Sequence, residues 1–121
     1  MNTTKIGTAG EDAAANYLMR KGYRIAERNY KCKVAEIDII AYNNDDTICF
    51  IEVKTRKNFQ FGYPSEFVDS RKQHKIHLGA KSYINKKQID KQIRFDVIEV
   101  YASITGDLIK ITGINHIENA F

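Results

Sequence analysis

Apolar residues recur at two different spacings along this chain, and the spacings predict two helices and five strands. Residues 6–21 carry apolar side chains every three or four positions, which predicts an amphipathic helix that ends before Gly22. Residues 70–86 show the same spacing, with Asp69 or Ser70 available as the N-cap. Strand patterns occupy residues 23–32, 35–42, 47–56, 93–101 and 108–114. This order predicts an α/β domain in which a mixed central β-sheet is flanked by helices on both faces.

The strongest local prediction is a β-hairpin over residues 35–56, because both halves are rich in β-branched and aromatic residues around a polar break at 43–46. Side chains two positions apart on a strand share a face, so Glu36 lies with Asp38 on the first strand. By the same rule Glu52 lies with Lys54 on the second strand. A turn centred near residues 44–45 places Asp38 almost opposite Glu52, so we expect three carboxylates and one ammonium to converge there.

Apart from these charges, both faces of the hairpin are apolar, as is usual for central strands that are covered on both sides. The face opposite the charges is predicted to carry Ile37, Ile39, Cys49, Ile51 and Val53. A carboxylate in such surroundings must be paired, hydrogen-bonded or bound to a metal. One interpretation is a structural ion pair between Lys54 and either Asp38 or Glu52. The other is a divalent cation, which would balance the excess of carboxylates over Lys54.

Length and composition indicate one globular domain, residues 1–121, without a membrane span or a secretory signal. We therefore expect a cytoplasmic protein. Cys32 and Cys49 lack CxxC spacing and nearby histidines, so neither a disulfide nor a zinc site is expected. His74 and His77 have the spacing of metal ligands on a helix, but no third ligand is near them in the sequence, and exposed histidines are the more common case.

Positive charge is concentrated in one part of the chain. Residues 70–94 carry eight basic side chains and one acidic side chain, a net charge of +7 within a chain whose total is +4. A cationic segment next to an acidic hairpin predicts a polyanionic partner held by its phosphates, although a solvated lysine-rich helix face has the same composition. The residues we expect to hold a nucleic-acid backbone are Arg56, Lys57, Arg71, Lys72, Gln73 and Lys75.

Two further features allow more than one interpretation. The loop over residues 57–66 contains Phe59, Phe61 and Tyr63, which either cap the core or stack on a nucleic acid. Glu11 is near the start of the first helix, where the helix dipole favours a carboxylate. It is either an exposed residue of the first turns or an acid that leans towards the sheet.

The order Asp38, then Glu52-Val53-Lys54, resembles the D…(D/E)xK signature of the PD-(D/E)xK nuclease superfamily. An ordered set of further blocks is similar to the bacterial YraN-like family of small proteins and spans nearly the whole chain. The longest blocks are Gly7-Thr8-Ala9-Gly10-Glu11, Glu36-Ile37-Asp38-Ile39-Ile40, Phe50-Ile51-Glu52-Val53-Lys54-Thr55-Arg56 and Arg94-Phe95-Asp96-Val97, with shorter ones at 22–23, 28–30, 61–62, 68–69, 72–73, 115–117 and 119–121.

The resemblance implies a restriction endonuclease-like fold, akin to that of Holliday-junction resolvases. It also implies roles for individual residues: Asp38 and Glu52 as metal ligands with the backbone carbonyl of Val53, Lys54 as the catalytic lysine, and Glu11 as an acid contributed by the first helix. Resolvases of this fold cut symmetric junctions as dimers, so the resemblance also suggests a homodimer.

These residue types suit phosphodiester hydrolysis, for which Mg²⁺ or Mn²⁺ bound by carboxylates can supply a nucleophilic water and relieve charge on the phosphoryl oxygens. Lys54 would orient or deprotonate that water, and Glu36 or Glu11 would bind a second ion or order its waters. The leading hypothesis is a metal-dependent endonuclease that acts on branched or structured DNA in repair or recombination. The alternatives are a nucleic-acid-binding module that keeps the nuclease fold without cutting, and a structural protein with a buried charge network.

Overall fold

The computed structural model describes residues 3–57 and 68–121 of the chain. Two helices and five strands follow one another in the predicted order: α1 (Thr3–Arg20), β1 (Arg24–Lys31), β2 (Glu36–Tyr42), β3 (Ile48–Lys57), α2 (Ser70–Lys87), β4 (Ile93–Thr105) and β5 (Leu108–Ile117). The predicted elements are confirmed, and β4 and β5 extend several residues beyond the ends expected from the sequence. Phe59, Phe61 and Tyr63 lie outside the described residues, so the two interpretations of their loop stay predictions.

The five strands form a single mixed sheet in the order β1-β2-β3-β4-β5. Neighbouring strands are antiparallel except β3 and β4, which run parallel. A parallel pair needs a crossover connection, and α2 lies in the stretch between these two strands. The predicted α/β architecture with a mixed central sheet is confirmed, and it is consistent with a restriction endonuclease-like fold.

Each face of the sheet is covered by one helix. On one face, Ala14, Ala15 and Leu18 of α1 pack against buried residues of β2, β3 and β4. On the other face, the α2 side chains Ile76, Ala80 and Tyr83 pack against another set from the same strands. Helices on both faces explain why β2 and β3 are apolar on both sides.

Ile37 is on the α2 face, whereas Ile39 is on the α1 face. The prediction that both belong to the face opposite the charges is therefore wrong for Ile37. The alternation of side chains is interrupted at the residue between them, Asp38, and the pairing of β2 with β3 extends only to Ile39 opposite Ile51. This interruption shapes the candidate site described below.

Helix α1 approaches the sheet closely at Gly10. A Cβ atom built on Gly10 would lie 1.8 Å from the hydroxyl oxygen and 2.9 Å from the Cβ of Thr55 on β3. Only a residue without a side chain fits at that distance. The contact fixes α1 against β3 and carries the next residue, Glu11, to the same region of the sheet.

Replacing Gly10 by alanine is expected to lower the free energy of unfolding by about 1–3 kcal/mol, because the added methyl group overlaps a short, β-branched side chain on a rigid strand. Gly7 of the same helix is the matched control, since a Cβ there meets nothing within 4 Å. Gly7→Ala should instead stabilise the protein by about 0.5–1 kcal/mol through helix propensity. Urea denaturation of both variants tests the contact, and equal effects of the two substitutions would contradict it.

Helix α2 begins at a defined cap. Asp69 has an extended backbone, with φ −73° and ψ 167°, and its side chain accepts a hydrogen bond from the backbone N–H of Lys72. This confirms that the helix starts at Asp69 or Ser70. Neither α1 nor α2, the two helices of the described residues, combines the length and hydropathy needed to cross a lipid bilayer.

Candidate active site

The candidate site lies where β2 and β3 separate. In the register of this pair, Ile40 is opposite Phe50 and Ile39 is opposite Ile51. If the pairing continued by one residue, Asp38 would be opposite Glu52. Instead of continuing the ladder, the Asp38 carboxylate accepts a hydrogen bond from the backbone N–H of Val53, with Oδ2 2.8 Å from the nitrogen. A side chain thus replaces the backbone partner that β2 would otherwise provide for β3.

The same geometry orients the carbonyl of Val53. In an extended strand the N–H and C=O of one residue project to the same side, because antiparallel partners exchange both bonds. Since the Val53 N–H meets Asp38, its carbonyl also faces the gap between β2 and β3. The gap therefore combines two carboxylates with a backbone oxygen.

Glu52 is nearly fully buried, with 5% of its surface exposed. Its Oε1 lies 2.5 Å from Nζ of Lys72, which extends from the first turn of α2. The ion pair that one interpretation of the sequence assigned to Lys54 is thus made by Lys72. Lys72 and Glu52 are 20 positions apart and meet only when α2 packs on the sheet. Their ion pair therefore has no local signal in the sequence.

Asp38 and Glu52 open into a cavity of about 540 Å³ between β2, β3 and the start of α2. Glu36 lines the same cavity, but no three acidic, histidine or cysteine side chains within residues 3–57 and 68–121 are grouped closely enough to hold a metal ion. The predicted convergence of three carboxylates is therefore wrong. Glu36 is the exposed first residue of β2, where this strand has already left β3.

Lys54 and Glu11 line a neighbouring cavity of about 400 Å³ on the α1 side of β3, together with Val53. Both remain close to the acid pair. The charge of Glu11 contributes to raising the pKa of Asp38, and the ammonium groups of Lys54 and Lys72 are neighbours. This placement agrees with the interpretation in which Glu11 leans towards the sheet. The expectation that Glu11 lies near the start of the helix is wrong, because α1 begins at Thr3 and Glu11 is in its middle, beyond the turn on which the helix dipole acts. The role of Glu11 stays a prediction.

The acid pair is electrostatically strained. Burial, followed by the charge of Glu52, raises the pKa of Asp38 to about 7, and the hydrogen bond from Val53 only partly offsets this. Two carboxylates that share one site cannot both ionise without a compensating cation. Lys72 supplies one positive charge for the two carboxylates, so the pair favours binding of a further positive charge at neutral pH.

The two lysines of the site are shifted in opposite directions. Burial, followed by the charge of Lys72, lowers the pKa of Lys54. Burial also acts to lower the pKa of Lys72, but the hydrogen bond to Glu52 and its charge outweigh this and raise it. Lys72 is thus held as the cation of the ion pair, while Lys54 is moved towards the neutral form that can accept a proton.

The substitution Asp38→Asn should raise the free energy of unfolding at pH 8 by about 1–3 kcal/mol when divalent cations are chelated. With a folded pKa near 7 and an ordinary value of 3.8, Asp38 binds its proton more tightly in the folded state. Wild-type stability therefore falls as pH rises from about 4 to about 7, and the uncharged variant escapes that loss. Denaturant unfolding at pH 4 and pH 8 measures the difference, and a variant effect that is independent of pH would contradict this account.

The predicted nucleic-acid contacts lie in three different settings. Arg71, Lys72 and Lys75 line the cavity of the acid pair. Gln73, in contrast, donates its side-chain N–H to the carbonyl of Val68 and so supports the start of α2. Arg56 is turned inward, with Nε 2.9 Å from Oε2 of buried Glu99, so its guanidinium stabilises the fold instead of facing the cavity.

Lys57 is the exposed last residue of β3 and lines the α1-side cavity together with Lys54 and Glu11. His77 and the two cysteines, which are not expected to hold a metal, also have defined places. The ring of His77 contacts those of Phe95 and Phe121, with centroids 4.3 and 5.6 Å away. Cys32 and Cys49 are both free thiols, and burial raises the pKa of Cys49 to about 12.

A second buried polar network lies on the α1 face and was missed from the sequence. Fully buried Asp96 accepts two hydrogen bonds from Arg94 and one from the backbone of Asn119, and its Oδ2 lies 2.8 Å from Nε2 of His116. The hydroxyl of Tyr17 contacts the other nitrogen of that ring. These contacts outweigh burial and lower the pKa of Asp96. An aspartate within the apolar run 95–98 was the available signal.

Comparison with known proteins places these residues in a family. The model of the family described as "Uncharacterised protein family UPF0102" matches residues 10–100. The chain belongs to this family. The match includes Glu11, Asp38, Glu52, Lys54 and Lys72, so the whole candidate site lies inside the family's shared region.

Relatives from several bacteria cover the full length of the chain. A UPF0102 protein of Caldanaerobacter subterraneus is 48% identical over 100% of this chain and 98% of its own length. A UPF0102 protein of Clostridioides difficile is also 48% identical, over 100% of both chains. One from Dictyoglomus thermophilum is 45% identical, again over 100% of both. The family assignment therefore extends from α1 to the end of β5.

Proposed function

We propose that this protein is a metal-dependent endonuclease that hydrolyses phosphodiester bonds of branched or structured DNA in the cytoplasm. The observation that carries the proposal is the acid pair. Asp38 and Glu52 meet where two central strands separate. The ammonium groups of Lys54 and Lys72 are neighbours beside this pair, and Lys72 is ion-paired with Glu52. Hard-metal ligands and cationic groups beside an open cavity are the combination that metal-assisted phosphodiester hydrolysis uses.

The donor set fits Mg²⁺ or Mn²⁺, since two carboxylates and the carbonyl of Val53 are the oxygen ligands that such ions prefer. These three groups would leave coordination positions for water and for a phosphate oxygen. Neutralisation by a divalent ion would also relieve the repulsion that raises the pKa of Asp38. When bound, the ion would polarise the phosphate and favour ionisation of its water.

The two lysines take different roles in this proposal. Lys54, whose pKa is lowered, accepts a proton from the attacking water or orients that water. Lys72 neutralises Glu52 while the metal is absent. A metal ligated by Glu52 would compete with the ammonium of Lys72, so Lys72 would then bind the scissile phosphate. The N-terminus of α2 would also favour the negative charge of that phosphate. Arg71 and Lys75 line the cavity beside it and would hold the adjoining backbone.

A second candidate function is supported by one contact. The ion pair between Lys72 and Glu52 already neutralises one carboxylate, so the site can exist without a metal. In that case the protein would bind nucleic acid through its basic helix without cutting it. The two functions differ in their need for Glu52. A binding module would keep its affinity for nucleic acid when Glu52 is replaced, and divalent ions would give it no cleavage activity.

The experiment is cleavage of labelled duplex, single-stranded, flap and four-way-junction DNA with Mg²⁺, with Mn²⁺ and with chelator. Wild type should cut at least one substrate only when a divalent ion is present. Glu52→Gln should abolish cutting, whereas Asp107→Asn, an exposed acid of the β4–β5 turn, should not. If tight binding occurs without cutting, the binding module is the correct function. If there is neither binding nor cutting, both functions are wrong and the charge cluster is architectural.

Sedimentation of the protein alone and with a four-way junction addresses the proposed homodimer. Two chains on one junction are expected if the enzyme cuts both strands symmetrically. One chain per junction would rule the dimer out.

A further inference from the structure

A second cavity continues from the acid pair along α2. It has a volume of about 460 Å³ and lies between the β1–β2 turn and the outer side of α2. Val34 lines both this cavity and the one that contains Asp38 and Glu52, so the two are adjacent. We call this second cavity the lysine groove and define it by Tyr30, Lys31, Lys33, Val34, Leu78 and Lys86.

The charge of the lysine groove has one sign. The groove is lined by Lys31 at the end of β1, Lys33 in the turn and Lys86 on the helix, and no aspartate or glutamate lines it. All three lysines are exposed, and no side chain among residues 3–57 and 68–121 forms an ion pair with them. Glu36 is opposite Lys31 in the register of β1 and β2, but it does not line the groove. Lysines that line one groove without an acidic side chain among its lining residues favour an anionic ligand.

The floor of the groove is apolar. Val34 and Leu78 are among the few large hydrophobic side chains that are strongly exposed, at 45% and 41%. Tyr30 also lines the groove. A single nucleic-acid strand presents both phosphates and unpaired base faces, whereas a duplex hides its bases within the helix. Lysines above an apolar floor therefore match a single strand better than a duplex.

The helix sets the length of the path. The groove-lining positions of α2 continue the row that starts with Arg71 and Lys75 in the first cavity and ends at Lys86. At a rise of 1.5 Å per residue, Arg71 and Lys86 are about 22 Å apart along the helix. A strand that keeps duplex-like stacking, at roughly 3.4 Å per nucleotide, covers that distance with about six nucleotides, and a more extended strand needs fewer.

We propose that the lysine groove binds a single-stranded extension of the nucleic acid whose phosphodiester bond is at the acid pair. This inference rests on the proposed function, because the acid pair is taken as the place of cleavage. It adds a substrate preference, namely a flap or overhang of about six unpaired nucleotides adjoining a duplex. Lys31, Lys33 and Lys86 hold its phosphates, and the apolar floor contacts its bases.

The test measures binding of a labelled duplex in chelator, either blunt or with a six-nucleotide thymidine tail on the 3′ or the 5′ end. Wild type should bind one of the tailed duplexes about tenfold more tightly than the blunt one. The double variant Lys33→Ala, Lys86→Ala should lose that gain while binding the blunt duplex as before. With two single-strand phosphate contacts removed, the slope of log affinity against log salt should fall by about 1.4 for the tailed duplex.

The matched control is the double variant Lys81→Ala, Lys110→Ala, which removes two exposed lysines outside the groove, one from α2 and one from β5. It should keep the gain from the tail. The proposal is overturned if neither tail improves binding, or if both double variants weaken tailed and blunt duplexes equally, since that would indicate only a general positive field.

The outcomes also separate this inference from the proposed function. If the protein cuts DNA but a tail has no effect on binding, the nuclease function stands and the role of the lysine groove is wrong. If a tail effect depends on Lys33 and Lys86 but no DNA is cut, the role of the lysine groove stands and the nuclease function is wrong. Failure to bind any of these nucleic acids overturns both.

Discussion

Cleavage by the Lys54→Met variant is expected to be slower than wild type by a factor of about 10²–10⁴, the usual contribution of one general acid or base. Methionine retains the apolar length of lysine but cannot take a proton from water. The expected change is in the rate constant at saturating metal and DNA, with affinity for DNA reduced much less. Single-turnover cleavage together with binding in chelator separates the two quantities.

Lys110→Met on β5 controls for the loss of one positive charge from an exposed position. It should cut at nearly the wild-type rate. The role assigned to Lys54 is wrong if Lys54→Met cuts within about threefold of wild type, or if its whole defect lies in DNA binding.

Replacing Asp96 by alanine is expected to lower the free energy of unfolding by about 3–5 kcal/mol. The substitution leaves the Arg94 guanidinium, with 16% of its side chain exposed, and the His116 ring without the fully buried carboxylate that they share. Arg94 keeps its ion pair with the exposed carboxylate of Glu118, so the cost comes from the buried hydrogen bonds that Asp96 makes with Arg94, His116 and the backbone of Asn119. Buried polar groups that lose such a bond carry the cost of desolvation. Urea denaturation at pH 7 measures the change.

Asp12→Ala is the control for this loss. It also removes an aspartate that is paired with an arginine, Arg28, but the two side chains are 55% and 37% exposed. A surface pair of this kind contributes about 0–1 kcal/mol. If the two substitutions have similar effects, the network around Asp96 does not stabilise the fold in the way described.

The hairpin was predictable because its signals are local. The polar break at residues 43–46 fixes the turn, and the side chain of Asn43 accepts hydrogen bonds from the backbone of Asp45 and of Thr47. This turn fixes the register of the two strands, and the register brings Asp38 close to Glu52. The helices could likewise be placed from apolar spacing and from the cap at Asp69.

The arrangement around the acid pair could not be predicted, because it depends on contacts between elements distant in the sequence. Strict alternation of side chains assumes that the two strands stay paired. Strand β2 separates from β3 at the charged residues. Glu36 therefore lies away from the acid pair, and Ile37 is on the α2 face of the sheet. The choice of Lys72 over Lys54 as partner of Glu52 depends on where α2 meets the sheet.

Arg56 illustrates the same limit. At the end of a strand with a basic neighbour it has the pattern of a phosphate contact, yet the parallel strand β4 brings Glu99 beside it. Parallel pairing joins segments that are far apart in the chain, so no local sequence pattern predicts the ion pair between Arg56 and Glu99. The buried Asp96 is the opposite case, since a charge within an apolar strand pattern is visible in the sequence alone.

The central claim is that Asp38 and Glu52 form a divalent metal site, and calorimetric titration with Mn²⁺ at pH 8 tests it most directly. We predict one ion per wild-type chain, the same for Asp107→Asn, and an affinity reduced at least about tenfold by Glu52→Gln and by Asp38→Asn. The affinity should weaken as pH falls below about 7, where a proton competes for Asp38. Absence of Mn²⁺ binding to wild type, or equal binding to Glu52→Gln, would contradict the account.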